Sequence, residues 1–129
     1  MTGYVVDDAA IVAGLGAGTE AQRRELSRLI HDTLDGGPPL HLPALCLAAA
    51  ATIRPDIADH VAWLVTDASD GAVDIRGLAA GQLAEVVAEF PGLGYAAAHA
   101  ASEAIADGSI ILTTDAARYA GVPVTATTL

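Results

Sequence analysis

The chain has 129 residues, of which 53% are apolar and 17% charged, and it carries six arginines, no lysine, 16 acids and a formal net charge of −10. This length predicts one domain over residues 1–129 with its own core, and the acidic balance argues against non-specific binding to nucleic-acid phosphates, which usually needs a basic surface. The single cysteine, Cys46, excludes an intrachain disulfide, and the longest uncharged apolar stretch, residues 42–53, is too short for a membrane span of about 20 residues, so we expect a cytoplasmic protein with no membrane segment.

The chain alternates strand and helix patterns. Residues 3–7 form a short apolar run that predicts a buried strand, and the acids at its end begin a helix that the glycine-rich run 14–18 ends. Thr19 begins the next helix, because Gln22 completes a capping-box pattern with it. The further predicted elements, in chain order, are a strand at 40–42, helices at 43–53 and from 55, a strand at 72–78, helices at 79–90 and 95–107, a strand at 109–113, a short helix at 115–120 and a strand at 122–127. Strands that alternate with helices in this way predict an α/β fold whose mostly parallel sheet is covered on both faces.

Two aspartates fall where predicted strands end. Asp7 closes the first strand, and Asp115 follows the strand at 109–113. Each is a good helix N-cap, a role that contributes about 1 kcal/mol. Functional residues in parallel sheets gather at the carboxyl ends of the strands, where two carboxylates would converge and hold a hard divalent cation. Both interpretations require the same residue type at the same place, so the spacing leaves both open.

The glycine run is compared with a dinucleotide-binding loop. Gly14, Gly16 and Gly18 have the spacing G-x-G-x-G, whereas that loop needs its third glycine one position later, where Thr19 stands. A phosphate-binding loop of the Walker type is excluded because the chain has no lysine. We therefore interpret the run as a turn that ends a helix, with no nucleotide cofactor bound there.

Arg23, Arg24 and Arg28 form the basic cluster of the sequence. We interpret it as a solvated helix face with acidic partners three or four residues away, in preference to a clamp for phosphates or for an acidic protein. The apolar stripe of the same helix suits either the core or a dimer interface, and it comprises Leu26, Leu29 and Ile30.

The histidines and the cysteine lack the spacing of metal ligands. His31 and His60 fall on the polar faces of their helices, and His41 lies in a loop-like Leu-His-Leu-Pro segment. His99 has no second histidine four residues later to form a metal pair, which favours a hydrogen-bonded, half-buried imidazole. Cys46 lies in an apolar stretch without nearby positive charge, so we expect an inert core thiol.

Three blocks of the sequence resemble VapC-type PIN domains. Residues 4–13 resemble their opening strand, aspartate and small-residue helix; residues 42–50 resemble their second block; and residues 98–104 followed by 111–115 resemble their C-terminal block. The resemblance covers nearly the whole chain. It implies a PIN-like three-layer α/β/α fold and the activity of that family, which is magnesium- or manganese-dependent cleavage of RNA by toxins of toxin–antitoxin pairs.

The resemblance also implies a set of site residues. Asp7 matches the acid that ends the first strand in PIN domains, and Asp115 matches the acid of the last motif, with Thr113 matching the threonine before it. Asp7 and Asp115 are therefore the predicted catalytic residues and the predicted ligands of Mg²⁺ or Mn²⁺. Asp8 is a further candidate ligand, and Thr113 is predicted to support Asp115.

Two positions depart from the family pattern. Ala49 stands where a helix glutamate belongs, and Ala97 stands where an aspartate belongs. The cation of such a site polarises the phosphate and generates the nucleophile, and loss of one positioned acid–base group costs a factor of about 10²–10⁴ in rate. We therefore predict impaired or lost ribonuclease activity in a homodimeric, VapC-like protein with an antitoxin partner, and RNA as substrate only if activity survives. The alternative is a non-catalytic protein-interaction module that retains the PIN fold.

Overall fold

The strands of the chain pair side by side in one parallel sheet. The structure is a computed structural model that describes residues 3–67 and 71–129. Over these residues the strands are β1 (Tyr4–Val6), β2 (Leu40–Pro43), β3 (Val73–Arg76), β4 (Ile110–Thr113) and β5 (Thr125–Thr128). Their order is β3-β2-β1-β4-β5, and every neighbouring pair is parallel. The predicted α/β fold is confirmed, and the sheet is parallel throughout the part that the structure describes.

Helices connect the strands and cover both faces of the sheet. They are α1 (Asp8–Val12), α2 (Glu20–Leu34), α3 (Ala44–Ile53), α4 (Asp56–Asp67), α5 (Ala80–Glu89), α6 (Gly94–Asp107) and a 3₁₀ turn at Ala116–Tyr119. The predicted capping box begins α2, where Thr19 and Gln22 exchange side-chain and backbone hydrogen bonds. Gly16 has a φ of 144°, a conformation that glycine adopts without strain, and it breaks the helical path between α1 and α2.

The two faces of the sheet pack against different helices. Val5, His41 and Ile111 are register partners, so they share the face against which α6 packs. Leu112 belongs to the opposite face, where it forms a buried cluster with Leu26 and Leu29 of α2. The apolar stripe of α2 therefore serves the core, with only its rim left for other contacts. The predicted three-layer α/β/α arrangement is confirmed.

The predicted strand at 40–42 is confirmed as β2, but two finer predictions about this segment were wrong. His41 does not lie in a loop: it is a buried strand residue whose partners are Val5 on β1 and Asp74 on β3. Pro43 does not form the first turn of a helix but ends β2 opposite Arg76, and α3 begins directly after it. The Leu-His-Leu-Pro segment is too short to show strand alternation by itself, and strands on both sides hold it extended. Among the described residues, no helix has the length and apolar character needed to cross a bilayer.

Candidate functional site

Asp7 leaves the sheet at the carboxyl end of β1. Its backbone N–H donates to the carbonyl of Leu112 at 3.1 Å, which holds it beside β4. Its side chain is the N-cap of α1, and Oδ1 accepts a hydrogen bond from the backbone N–H of Ala10 at 2.9 Å. The side chain is fully buried, with 0% exposure. One carboxylate oxygen of Asp7 is thus committed to starting a helix.

The other oxygen of Asp7 receives donors from the distant 3₁₀ turn. The hydroxyl of Tyr119 donates to Oδ2 at 2.7 Å, and Nη1 of Arg118 donates to the same oxygen at 3.3 Å. Both donors lie more than a hundred residues away in sequence and reach Asp7 because the turn follows β4, the neighbour of β1. Both carboxylate oxygens of Asp7 therefore accept hydrogen bonds from the protein itself.

Arg118 bridges the aspartates of the pair. Its Nη1 donates to Oδ1 of Asp8 at 2.6 Å, its Nη2 donates to Oδ2 of Asp8 at 3.5 Å, and its contact with Asp7 completes a fork. A planar guanidinium suits this geometry because its N–H groups point in fixed directions. The side chain of Arg118 is 25% exposed, so it lies at the edge of the buried carboxylate and not in free solvent. The guanidinium is the positive charge that contacts both Asp7 and Asp8.

Burial sets the protonation behaviour of these groups. Burial raises the pKa of Asp7 above its ordinary value, against the opposing effect of its hydrogen bonds, and the negative charge of Asp8 adds to the rise. Burial also raises the pKa of Tyr119, which keeps its hydroxyl proton for donation to Asp7. Burial acts to lower the pKa of Arg118, but the hydrogen bond with Asp8 and the charges of the surrounding groups together outweigh burial, so the pKa is raised and the guanidinium stays charged.

Asp115 occupies the same edge of the sheet in a different manner. Its side chain is exposed and makes no capping bond to the 3₁₀ turn that it precedes. Its backbone N–H donates to Oγ1 of the buried Thr113 at 3.2 Å. Thr113 therefore contacts the backbone of Asp115, and the structure brings Asp7 and Asp8, not Asp7 and Asp115, to a shared cation.

Hydrogen bonds from the protein already occupy both carboxylate oxygens of Asp7, which restricts the coordination of a metal there. Mg²⁺ demands near-octahedral oxygen coordination at about 2.0–2.1 Å, whereas the oxygens of Asp7 already accept from Ala10, Tyr119 and Arg118. Across residues 3–67 and 71–129, no group of three or more His, Cys, Asp or Glu side chains is placed to hold a metal ion. The arrangement instead resembles a buried ion pair of the kind that fastens two elements together.

The two departing positions hold alanines on α3 and α6. Ala97 of α6 is fully buried, at 0% exposure. Ala49 of α3 lines a groove of about 420 Å³ next to Arg118. The groove is otherwise lined by Leu45, Ala48, Thr52, Leu93, Gly94, Tyr95 and Ala96. Ala49 and Ala97 therefore bring no carboxylate to this part of the fold.

Sequence reasoning missed Arg118 and Tyr119. They lie within the predicted short helix at 115–120, and nothing in their local pattern points to Asp7. The arginines that the sequence singled out lie instead on the exposed face of α2, where Arg24 pairs with Glu20 at 2.5 Å and Arg28 pairs with Glu25 and Asp32. The interpretation of that cluster as a solvated helix face is confirmed.

A second polar cluster lies between β2, β3 and α6. Nδ1 of His41 is 2.6 Å from Oδ1 of Asp74, and Nε of Arg76 donates to the other oxygen of Asp74 at 2.7 Å. Asp107 at the end of α6 is 3.4 Å from Nη1 of Arg76 and 3.6 Å from Nε2 of His41. The cluster joins the edge strand β3 to its neighbour and to α6, so its contacts account for its charges.

His99 and Cys46 are core residues. His99 is fully buried: its Nδ1 accepts from the backbone N–H of Leu45 at 3.3 Å, and its Nε2 lies 3.3 Å from Oε1 of Glu103 without hydrogen-bond alignment. Burial lowers the pKa of His99, although Glu103 opposes the shift. Cys46 donates its S–H to the carbonyl of Ala96 at 3.1 Å, and burial raises the pKa of the thiol. The predictions of a hydrogen-bonded imidazole and a buried thiol are confirmed, with His99 more deeply buried than expected.

The parallel sheet between two helical layers, with its order β3-β2-β1-β4-β5, defines a PIN-like fold. Among solved structures, the chain is similar to VapBC2 from Rickettsia felis bound to a DNA fragment from their promoter. The TM-score is 0.64 at 13% sequence identity, and the alignment covers 98% of this chain and 98% of that chain. No family model matches the sequence, and no curated protein does. At this identity the likeness concerns the fold.

Proposed function

We propose that this chain is a VapC-like protein of the toxin–antitoxin type that has lost the metal-dependent ribonuclease chemistry of PIN domains and acts by binding a partner protein. The single observation that carries the proposal is the engagement of both carboxylate oxygens of Asp7 by Ala10, Tyr119 and Arg118. Three protein donors leave this carboxylate only about one lone-pair site for a metal. The proposal places residues 1–129 in one cytoplasmic domain that forms a homodimer.

The chemistry of the remaining groups supports the loss of catalysis. An arginine stays protonated at neutral pH and does not lower the pKa of a bound water as a metal ion does. Arg118 therefore neutralises the carboxylates without supplying a nucleophile. Ala49 and Ala97 also remove two side chains that would orient water or a second ion, so the cleft lacks both parts of the machinery.

The exposed apolar surface supports a protein partner. A groove of about 510 Å³ follows α5 and shares Leu45 and Tyr95 with the groove beside Arg118. Tyr95 is 67% exposed, and Leu83 of α5 also lies open to solvent. Exposed apolar patches on a folded protein often mark interaction sites. The proposed partner is an antitoxin chain, since the solved structure with this fold is of a VapBC pair.

A second candidate function is residual ribonuclease activity. It is favoured by the exposed carboxylate of Asp115, which lies at the same sheet edge as Asp8. Mg²⁺ is held in many enzymes by one or two carboxylates together with water and substrate phosphates. In this alternative, Asp7 and Asp115, together with Asp8, would hold a weakly bound Mg²⁺ or Mn²⁺, and RNA would be the substrate.

Cleavage of a mixed RNA pool in Mn²⁺ separates the two candidates. We expect wild type and Asp115→Ala to show the same background cleavage, and Asp115 is chosen because its exposed side chain is removed without disturbing the core. Manganese-dependent cleavage by wild type that Asp115→Ala abolishes would establish the ribonuclease and refute the proposal. The Ala49→Glu/Ala97→Asp double variant tests whether activity returns when the two acids are restored.

Binding is tested with the product of the adjacent reading frame. We expect the two chains to elute as one complex after co-expression, and Leu83→Asp to weaken that complex at least tenfold by placing a charge in the α5 groove. Ala88→Ser, a mild change in the same groove, is the matched control. Separate elution of the two wild-type chains would argue against an antitoxin partner.

A further inference from the structure

We infer that Arg118 is a permanent internal cation of the Asp7–Asp8 pair, standing where a divalent metal would bind in a PIN domain, and that it locks the 3₁₀ turn onto α1. The inference rests on the proposed function, because it explains how the acidic cleft survives without a metal. The inference predicts whether the folded chain binds a metal ion and how stable the chain is.

The charge balance of the cluster supports this role. Two adjacent carboxylates at the carboxyl end of a strand repel each other unless a cation lies between them. Arg118 contacts Asp8 at 2.6 Å and 3.5 Å and Asp7 at 3.3 Å, so one guanidinium serves both. Its centre also lies 6.0 Å from the ring of Tyr119, the residue that donates to Asp7. The positive charge is therefore held from several directions.

The position of Asp7, Asp8 and Arg118 explains how this cluster holds the 3₁₀ turn against α1. Asp7 and Asp8 begin α1, whereas Arg118 and Tyr119 end the 3₁₀ turn after β4. Tyr119 is buried in the main core cluster, so the turn is anchored beside the pair. Long-range contacts of this kind close most of the chain into one loop. The acids of the cleft therefore contribute to stability here.

Whether the cluster stabilises or destabilises the folded chain distinguishes a structural contact between α1 and the 3₁₀ turn from a binding site. Side chains arranged for function are commonly strained or repulsive in the free protein, and their removal stabilises it. A paired, buried aspartate behaves oppositely, because its removal leaves its donors without an acceptor. The lock therefore predicts a loss of stability when Arg118 or Asp7 is replaced, and the removal of Arg118 should open the pair to a cation from solution.

The test compares Arg118→Ala with Arg28→Ala. Arg28 is the matched control because it too pairs with two carboxylates, Glu25 at 2.7 Å and Asp32 at 2.8 Å, but on the exposed face of α2. Mn²⁺ binding is followed by the loss of the free-ion paramagnetic resonance signal, and melting temperature is measured with and without Mn²⁺. Neither readout depends on RNA cleavage.

We expect wild type and Arg28→Ala to bind no Mn²⁺ at ion concentrations up to about 1 mM, and Arg28→Ala to melt within about 2 °C of wild type. We expect Arg118→Ala to melt at least about 5 °C lower in the absence of metal. It should then take up Mn²⁺ and regain about 5 °C when the ion is saturating. Arg118→Lys, which keeps a cation, should lie between alanine and wild type and bind no Mn²⁺.

Two results would overturn the inference. One is Mn²⁺ binding by wild type, which would show that Arg118 does not fill the site. The other is an Arg118→Ala variant that melts like wild type and takes up no ion. If Arg118→Ala does not fold even in Mn²⁺, the lysine variant decides: recovery of folding supports the cation role, and no recovery refutes it. The Mn²⁺-binding and melting measurements test the inference, whereas failure of the proposed function appears in the RNA-cleavage and co-elution assays.

Discussion

Asp7 and Asp115 lie at the same edge of one parallel sheet, but their surroundings are opposite. Asp7 is fully buried and accepts hydrogen bonds at both oxygens. Asp115 is exposed, and only its backbone takes part in the hydrogen bonds around the 3₁₀ turn, to Thr113 and from Arg118. The difference arises from the chain that follows each residue: α1 folds over Asp7, whereas the turn after Asp115 runs outward and returns Arg118 to Asp7.

The comparison shows that position at a strand end does not define the role of an acid. The N-cap and the metal-ligand interpretations of Asp7 are usually treated as alternatives. Here the cap takes one oxygen, and donors from a distant turn take the other. We therefore expect the resident counter-cation, Arg118, to determine whether this cleft binds an ion.

Replacement of Asp7 by alanine should have the largest effect. Asp7→Ala removes the cap of α1 and leaves Tyr119 and Arg118 without their acceptor, and breaking a buried pair in this way costs about 3–5 kcal/mol. Urea unfolding should show this loss in the free energy of unfolding. A loss below about 1 kcal/mol would mean that Asp7 is not a structural centre and would remove the contrast with Asp115.

Tyr119→Phe should have the next largest effect. The ring stays in the core, but the hydroxyl that donates to Asp7 at 2.7 Å is lost. Hydrogen bonds to charged groups contribute about 1.5–3 kcal/mol. Tyr95→Phe is the control, since Tyr95 is exposed and should lose less than about 0.5 kcal/mol. Equal losses for the two tyrosine variants would contradict the role of Tyr119.

The stability that Asp7 contributes should depend on pH. Because burial raises its pKa in the folded state above the value of 3.8 in the unfolded chain, the native state binds more protons between those two values. The contribution of Asp7 is therefore fully present below pH 3.8 and declines as pH rises through the raised pKa. The difference in free energy of unfolding between wild type and Asp7→Asn should follow this decline across a series of urea titrations. A difference in free energy of unfolding that grows as the pH rises would contradict the prediction.

Asp115→Ala should have the smallest effect. Its side chain is exposed and caps nothing, so the free energy of unfolding should change by less than about 0.5 kcal/mol. Urea unfolding alongside Asp7→Ala gives the comparison directly. A loss as large as that of Asp7→Ala would show that the two strand ends are equivalent after all.

Most of the fold could be predicted because its signals are local. The capping box at Thr19 begins α2 as predicted, and the glycine run breaks the helical path at Gly16. Short apolar runs placed β1 and β4, and the alternation of strands with helices predicted a parallel sheet. The strand at 40–42 was also predicted, and only the description of His41 as loop-like was wrong, because so short a strand takes its conformation from the strands on either side.

Less of the candidate site could be predicted. The positions of Asp7 and Thr113 followed from strand ends, and the inert state of Cys46 followed from its apolar surroundings. The donors to Asp7 did not follow, because Arg118 and Tyr119 are 111 and 112 residues from it. The polar cluster at His41 was missed for the same reason, since Asp74 and Arg76 reach it only through the pairing of β2 with β3.

The sequence by itself determined the order of helices and strands, the acidic edge of the sheet and the absence of two acids at Ala49 and Ala97. These features depend on residue type, hydrophobic period and helix capping, which act over a few residues. Only the tertiary structure decided that Asp7 is buried and hydrogen-bonded while Asp115 is exposed, and that Arg118 is the cation beside Asp7. These contacts depend on which distant segments of the chain the sheet brings together, and no local sequence pattern predicts them.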